Sequence, residues 1–202
     1  MNNKFVDLKL ALDLEDDPSV LIYMDNLEVE ILDCFADSTC EVSVFSGRQE
    51  KLSKIKEYCL HLNCEKNNFL FPEDPQPGGE KFDLIIAADA SRLNKAERLL
   101  KHKGKLCILS SKGSSLNSRI NYLRLQRNKF TNVKLYWIYP NIYNYIWIMP
   151  ILQPAAVSNF TGLVIKDYGA MKSFVIKMFL RLLANFGFLK WLVPSYLISA
   201  EK

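Results

Sequence analysis

Residues 81–111, KFDLIIAADASRLNKAERLLKHKGKLCILSS, constrain the fold more than any other stretch, because they read as strand, helix, strand. Residues 82–88 are a short and nearly continuous apolar run, the pattern of a strand buried on both faces. Asp89 and Ser91 follow at its carboxyl end, where a helix N-cap is expected. Leu93, Ala96, Leu99 and Leu100 then recur at helical spacing. Gly104 is expected to close that helix, after a last turn of Lys101, His102 and Lys103 that suits the negative end of its dipole. Residues 106–109 are a second buried strand. Such a βαβ unit belongs to an open parallel sheet with helices on both sides.

The rest of the chain extends this alternation. Residues 1–17 alternate leucines with charges, which fits either a short strand or one helical turn. Residues 20–24 (VLIYM) read as the first strand, and Leu27, Ile31, Leu32 and Phe35 as the face of an amphipathic helix. Residues 41–45 predict a second strand. Residues 49–62 predict a helix with Leu52, Ile55, Cys59 and Leu62 turned inward, and residues 68–71 a brief third strand. Residues 72–80, with three prolines and two glycines, are a loop by composition. A basic helix is expected over 114–130 and a sixth strand over 133–139. Residues 171–193 are an apolar helix or helix pair. Residues 196–200 are a closing strand, antiparallel and at or near the sheet edge. This divides the chain into an acidic segment 1–17, a core 18–140, and residues 141–202 as an aromatic and helical cap whose final strand completes the same sheet.

The segment FDLIIAADAS…LLKHKGKLCILS resembles the fourth and fifth strands of class I S-adenosylmethionine-dependent methyltransferases. The resemblance extends over about residues 18–140 plus the last few. It implies an α/β fold: a doubly wound, mainly parallel sheet of the Rossmann type, here with a C-terminal helical and aromatic cap.

In that family the cofactor lies across the carboxyl ends of the first strands, and glycines after strand one let the backbone approach it. The matching stretch here is 22–28, IYMDNLE, with Met24, Asn26 and Glu28 where the glycines would stand. No glycine occurs in residues 1–46. Side chains at those positions are expected to crowd the methionine moiety. Asp25 lies in the same turn and is carried as a cofactor-contact candidate. The family's acidic ribose ligand at the end of strand two is replaced by Ser46, which can make one hydrogen bond but not a carboxylate's pair. Glu73 and Asp74 match the adenine-side position after strand three, and read equally as solvated loop acids. Asp89 matches the position after strand four, where an N-cap role competes. The fold signature is present while the cofactor signature is largely erased, which implies weak S-adenosylmethionine binding or none.

Charge is unevenly spread. Residues 1–50 hold 12 acidic against 3 basic side chains, and residues 95–202 hold 17 basic against 3 acidic. Arg119, Arg124, Arg127, Lys129 and Lys134 are expected to make an electropositive face for an anion or an acidic partner. Tyr139, Tyr143, Tyr145 and Trp147 crowd an aromatic region of the kind that lines pockets or interfaces. In the apolar helix, Phe174, Met178, Leu182, Phe186 and Leu189 are expected to face inward, and Phe179, Leu183 and Trp191 a partner, ligand or membrane. Its internal charges argue against a spanning segment.

The five cysteines show no CxxC spacing, so no metal site is expected. Their odd number and the absence of a leader pattern predict a reducing cytoplasm, with attachment to the membrane periphery as an addition. Partners are ranked as a protein or a second copy of the chain through the cap, then an anionic membrane surface, then nucleic acid. The resulting reading is a methyltransferase-like protein with a degraded cofactor site, serving as a non-catalytic partner or binding subunit. Two alternatives stand beside it. One is an active methyltransferase on a small-molecule or lipid-linked acceptor in a natural-product or cell-envelope pathway. The other is a membrane-surface-associated interaction protein.

Overall fold

The computed structural model describes residues 4–36, 38–62, 69–72, 81–110, 115–139, 147–151, 153, 155–157, 170–185 and 195–202. The elements run α1 (Lys4–Leu12), β1 (Val20–Tyr23), a 3-10 helix (Val29–Cys34), β2 (Val42–Phe45), α2 (Gln49–His61), β3 (Phe69–Leu70) and β4 (Phe82–Ala87). A 3-10 turn (Ala90–Arg92) leads into α3 (Leu93–Leu99), and then follow β5 (Leu100–Ser110), α4 (Ser115–Arg127), β6 (Thr131–Tyr139), β7 (Trp147–Pro150), α5 (Ala170–Asn185) and β8 (Tyr196–Glu201).

The strands form one sheet of eight in the order β3-β2-β1-β4-β5-β8-β6-β7. The pairs from β3 through β5 are all parallel, whereas β8 runs antiparallel to both β5 and β6, and β7 antiparallel to β6. Strand alternation sends Val20, Ile22, Leu84 and Ile86 to one core and Leu21, Tyr23, Ile85 and Ala87 to the other. The first core is covered by α1, the 3-10 helix and α2, the second by α3 and α4. The result is a three-layer sandwich with its strand order reversing between β1 and β4.

Several elements differ from expectation. Residues 4–12 are a helix because Leu8 and Leu12, four apart, are both buried on the core while Leu10 is 73% exposed. The segment after β1 is 3-10 rather than α, and it still buries Ile31 and Leu32. Gly104 does not close α3. The helix ends at Leu99, and Lys101 to Lys103 belong to a long β5. There the register slips: Phe82 pairs with Leu100 but Leu84 pairs with Lys105. Lys103 takes a left-handed φ of 64° in this bulge. Gly104 is needed for close approach, since a Cβ there would sit 2.9 Å from the Lys101 carbonyl oxygen and 3.0 Å from that of Phe82.

β8 lies inside the sheet, not at its edge. The edge on that side of the sheet is β7, an unforeseen strand that ends on Pro150, a residue an edge tolerates.

The inward face assigned to α5 is also corrected. Phe174, Met178 and Leu182 are exposed, and it is Leu183 that packs on the core. The helix is apolar on most sides, so its periodicity carried little contrast. Phe186, Leu189 and Trp191 lie outside the described residues. No helix among the described residues is long and apolar enough to cross a membrane.

Candidate functional site

In open α/β sheets a ligand crevice forms outside the carboxyl ends of the strands where the strand order reverses. Here that point lies between β1 and β4, and a cavity of about 340 Å³ opens there. Tyr23, Asp25 and Asn26 supply it from the end of β1, and Gly47 and Arg48 from the end of β2. Ala87, Ala88, Asp89, Ser91 and Arg92 come from the end of β4 and the turn that follows.

Asp25 is the centre of the arrangement. Its carboxylate accepts hydrogen bonds from the Gly47 backbone N–H at 2.8 Å and the Ser46 hydroxyl at 3.0 Å. It also pairs with the Arg92 guanidinium. Burial alone would raise the Asp25 carboxyl. The Gly47 N–H, the Ser46 hydroxyl and Arg92 together outweigh it and hold the group below the ordinary carboxylate range. Arg92 lies over the rings of Tyr23 and Phe45, 5.1 and 5.5 Å from their centroids, so the cation rests on an aromatic shelf while it reaches across the cleft. Tyr23 and Phe45 themselves meet edge to face at 5.7 Å. Beneath them the Lys51 ammonium donates to the backbone oxygens of Asp25 (3.2 Å) and Leu27 (2.6 Å), fixing the turn after β1. Burial pulls the pKa of Lys51 down.

On the β4 side, Asp89 accepts from the Ser91 backbone N–H at 2.8 Å, the N-cap bond its position suggested, and also from the Asn26 side-chain amide at 3.3 Å. Burial would raise its carboxyl, but these donors and the nearby Arg92 hold it below the usual range. Behind this turn the buried Asn121 of α4 accepts from the Ala90 N–H and donates to the Tyr196 hydroxyl of β8. The cleft is thus tied to the last strand of the sheet.

The structure brings Asp25, Ser46 and Asp89 to this one place. Glu73 and Asp74 lie outside the described residues. Met24 does not crowd the cleft. It is fully buried with the α1 and α2 core, on the face opposite Tyr23. Glu28 caps the 3-10 helix and is not among the residues lining the cavity. Asn26 does line the cavity, and with it stand the Asp25 side chain and Arg92, for which the sequence offered no signal. The partners are 67 positions apart, and no local spacing signals such a pair.

The five basic candidates do not form one surface. Arg124 and Arg127 are exposed on α4, and Lys129 follows it, 3.4 Å from Glu97 of α3. Lys134 is on β6, opposite Ser199 and one position out of step with Leu135, which puts it on the other face of the sheet. The side chain of Arg119 is outside the description. Among the aromatic candidates, Tyr139 and Trp147 are register partners across β6 and β7, and Tyr143 and Tyr145 lie outside the described residues.

No protein-family model matches the chain, and no curated protein matches it. Among solved structures, the tRNA (m1A58) methyltransferase TrmI from Aquifex aeolicus is similar, with a TM-score of 0.54 at 13% identity, over 99% of this chain and 68% of that one. The [4+2]-cyclase SpnF is similar with a TM-score of 0.53 at 13% identity, over 99% and 81%. Identities this low speak to the fold alone, and the fold is that of class I methyltransferases: a Rossmann-like α/β sandwich on an eight-stranded sheet.

Proposed function

We propose that this is a methyltransferase-fold protein whose cofactor cleft is partly taken up by its own side chains, and that it acts as a non-catalytic binding or partner subunit. The observation that carries this reading is the Asp25 carboxylate, bonded at once to the Gly47 N–H, the Ser46 hydroxyl and Arg92. A dinucleotide-like or nucleoside ligand in such a crevice needs backbone N–H groups and polar side chains at the ends of β1 and β2. Here the Gly47 N–H and the Ser46 hydroxyl are already taken by Asp25, which is paired with Arg92 in the wall of the cavity. A ligand entering in the usual way must expel Asp25 and leave a partly buried carboxylate without its partners, which is costly. The residues present therefore do not fit S-adenosylmethionine in its customary seat, and no methyl-transfer step is derived.

The cavity that remains, with Asn26, Arg48 and Asp89 on its walls, favours the second reading, an active methyltransferase with an unusual cofactor loop acting on a small or lipid-linked acceptor.

Isothermal titration with S-adenosylmethionine and S-adenosylhomocysteine decides between them. The first reading expects no binding tighter than about millimolar, roughly −4 kcal/mol. A micromolar curve would overturn it and promote the second, with Asp89→Ala then expected to weaken that curve.

A further inference from the structure

The two helical layers differ in charge. Helices α3, α4 and α5 carry eight Lys or Arg residues against a single acid, Glu97. Helix α1, the 3-10 helix and α2 carry five basic residues against five acids. The basic layer also carries the larger apolar exposure. On α4, Ile120 and Leu123 are exposed beside Arg124 and Arg127. On α5, Phe174 is 68% and Phe179 58% exposed, and Val175, Ile176, Met178 and Leu182 are exposed with them. At 3.6 residues per turn these positions, apart from Ile176, fall within one arc of roughly 140°. Arg181, exposed, stands at one border of that arc. Leu183, beyond the arc, anchors the helix to the core. The helix contains no acidic residue.

We infer that this layer docks on an anionic lipid bilayer, with α5 lying in the plane of the interface. An exposed apolar arc with Arg181 at its border, on a helix without acids and beside the exposed Arg124 and Arg127 of α4, matches acyl chains under negative headgroups. Among the described residues the helix is not long and apolar enough to cross. The more acidic composition of the opposite layer orients the molecule as it approaches, since the field of an anionic surface attracts one face and not the other. The inference is independent of what the cleft binds.

The test is co-sedimentation of the full chain with vesicles of equimolar phosphatidylcholine and phosphatidylglycerol, and with phosphatidylcholine alone. Binding is expected to the mixed vesicles only, and to fade as salt approaches ~1 M, where the Debye length is about 3 Å. Arg181→Gln should weaken partitioning roughly fivefold, and Phe179→Ser by roughly tenfold or more. Leu60→Ser, at an 81% exposed position on the opposite layer, should leave it unchanged. Equal binding to neutral vesicles, or no response to salt, would overturn the inference. So would failure to bind vesicles combined with a concentration-dependent dimer that Phe179→Ser abolishes, because a second copy of the chain would then cover this face. The lipid and salt series on the unaltered protein decides the matter even if a variant folds poorly.

Discussion

Asp25 takes two hydrogen bonds and one ion pair, so its charge, rather than its bulk, holds the ends of β1, β2 and β4 together. Its folded pKa lies below the ordinary 3.8. A carboxyl depressed in this way contributes stability that is fully present above its ordinary pKa and is lost as the pH falls through the folded value. Asp25→Asn should therefore lower stability at pH 7 by about 1–2 kcal/mol, a figure reduced for the partial exposure of both partners. The gap between the two proteins should shrink toward zero as the pH falls below 3.8 and through the depressed folded value. Urea titrations at neutral and acid pH measure it, and a gap that persists undiminished in acid would mean that shape, not charge, is what Asp25 supplies. Asp25 could be singled out from its place in a turn after a strand, but what it bonds to could not. Arg92, Gly47 and Ser46 approach it only once three strands have paired in a non-sequential order. Met24 was misplaced for a simpler reason: strand alternation continues through residue 24 and sends that side chain to the same core as Ile22.

At the scale of elements, the strands with continuous apolar runs were legible to within a residue or two, because β1, β2 and β4 are buried on both faces and contain no competing pattern. Helix α2 was legible too, with Ile55 buried as its spacing required. The start of β5 was not legible. Lys101, His102 and Lys103 followed by glycine have the composition of a helix end, yet Leu100 and Lys105 on either side pair with β4 and the residues between them are absorbed as a bulge. Tertiary pairing overrode a local signal there. That bulge supplies a sharp prediction. Gly104 is packed under two backbone carbonyl oxygens, neither of which can swing aside as a side chain would. Gly104→Ala should cost about 1–3 kcal/mol, or several degrees in the melting temperature of a chain this size. Thermal melts followed by circular dichroism would show it, and an unchanged melting temperature would mean that the β4–β5 register shifts freely.

For the whole molecule, the decisive fact is where the last strand goes. β8 is inserted between β5 and β6 and pairs with both. Tyr196, Leu197, Ile198, Ser199 and Ala200 are all buried. Tyr196 also receives the bond from Asn121 that reaches the turn beside the cleft. The sheet is continuous only when the final residues are in place. Helix α5 precedes this strand in sequence yet stands outside the core, held among its described side chains mainly by Leu183. Local opening follows buried contact, not position along the chain. Hydrogen exchange in solution should accordingly find the amides of Tyr196–Glu201 as slow as those of β1 and β4, and those of Ala170–Asn185 faster by orders of magnitude. The contrast separates two pictures of the C-terminal region. If α5 and β8 exchange together, the helix is part of the cooperative core and its apolar arc is covered in solution. If β8 is slow while α5 is fast, the helix is a surface element on a closed sheet, free to be stabilised by whatever it settles on.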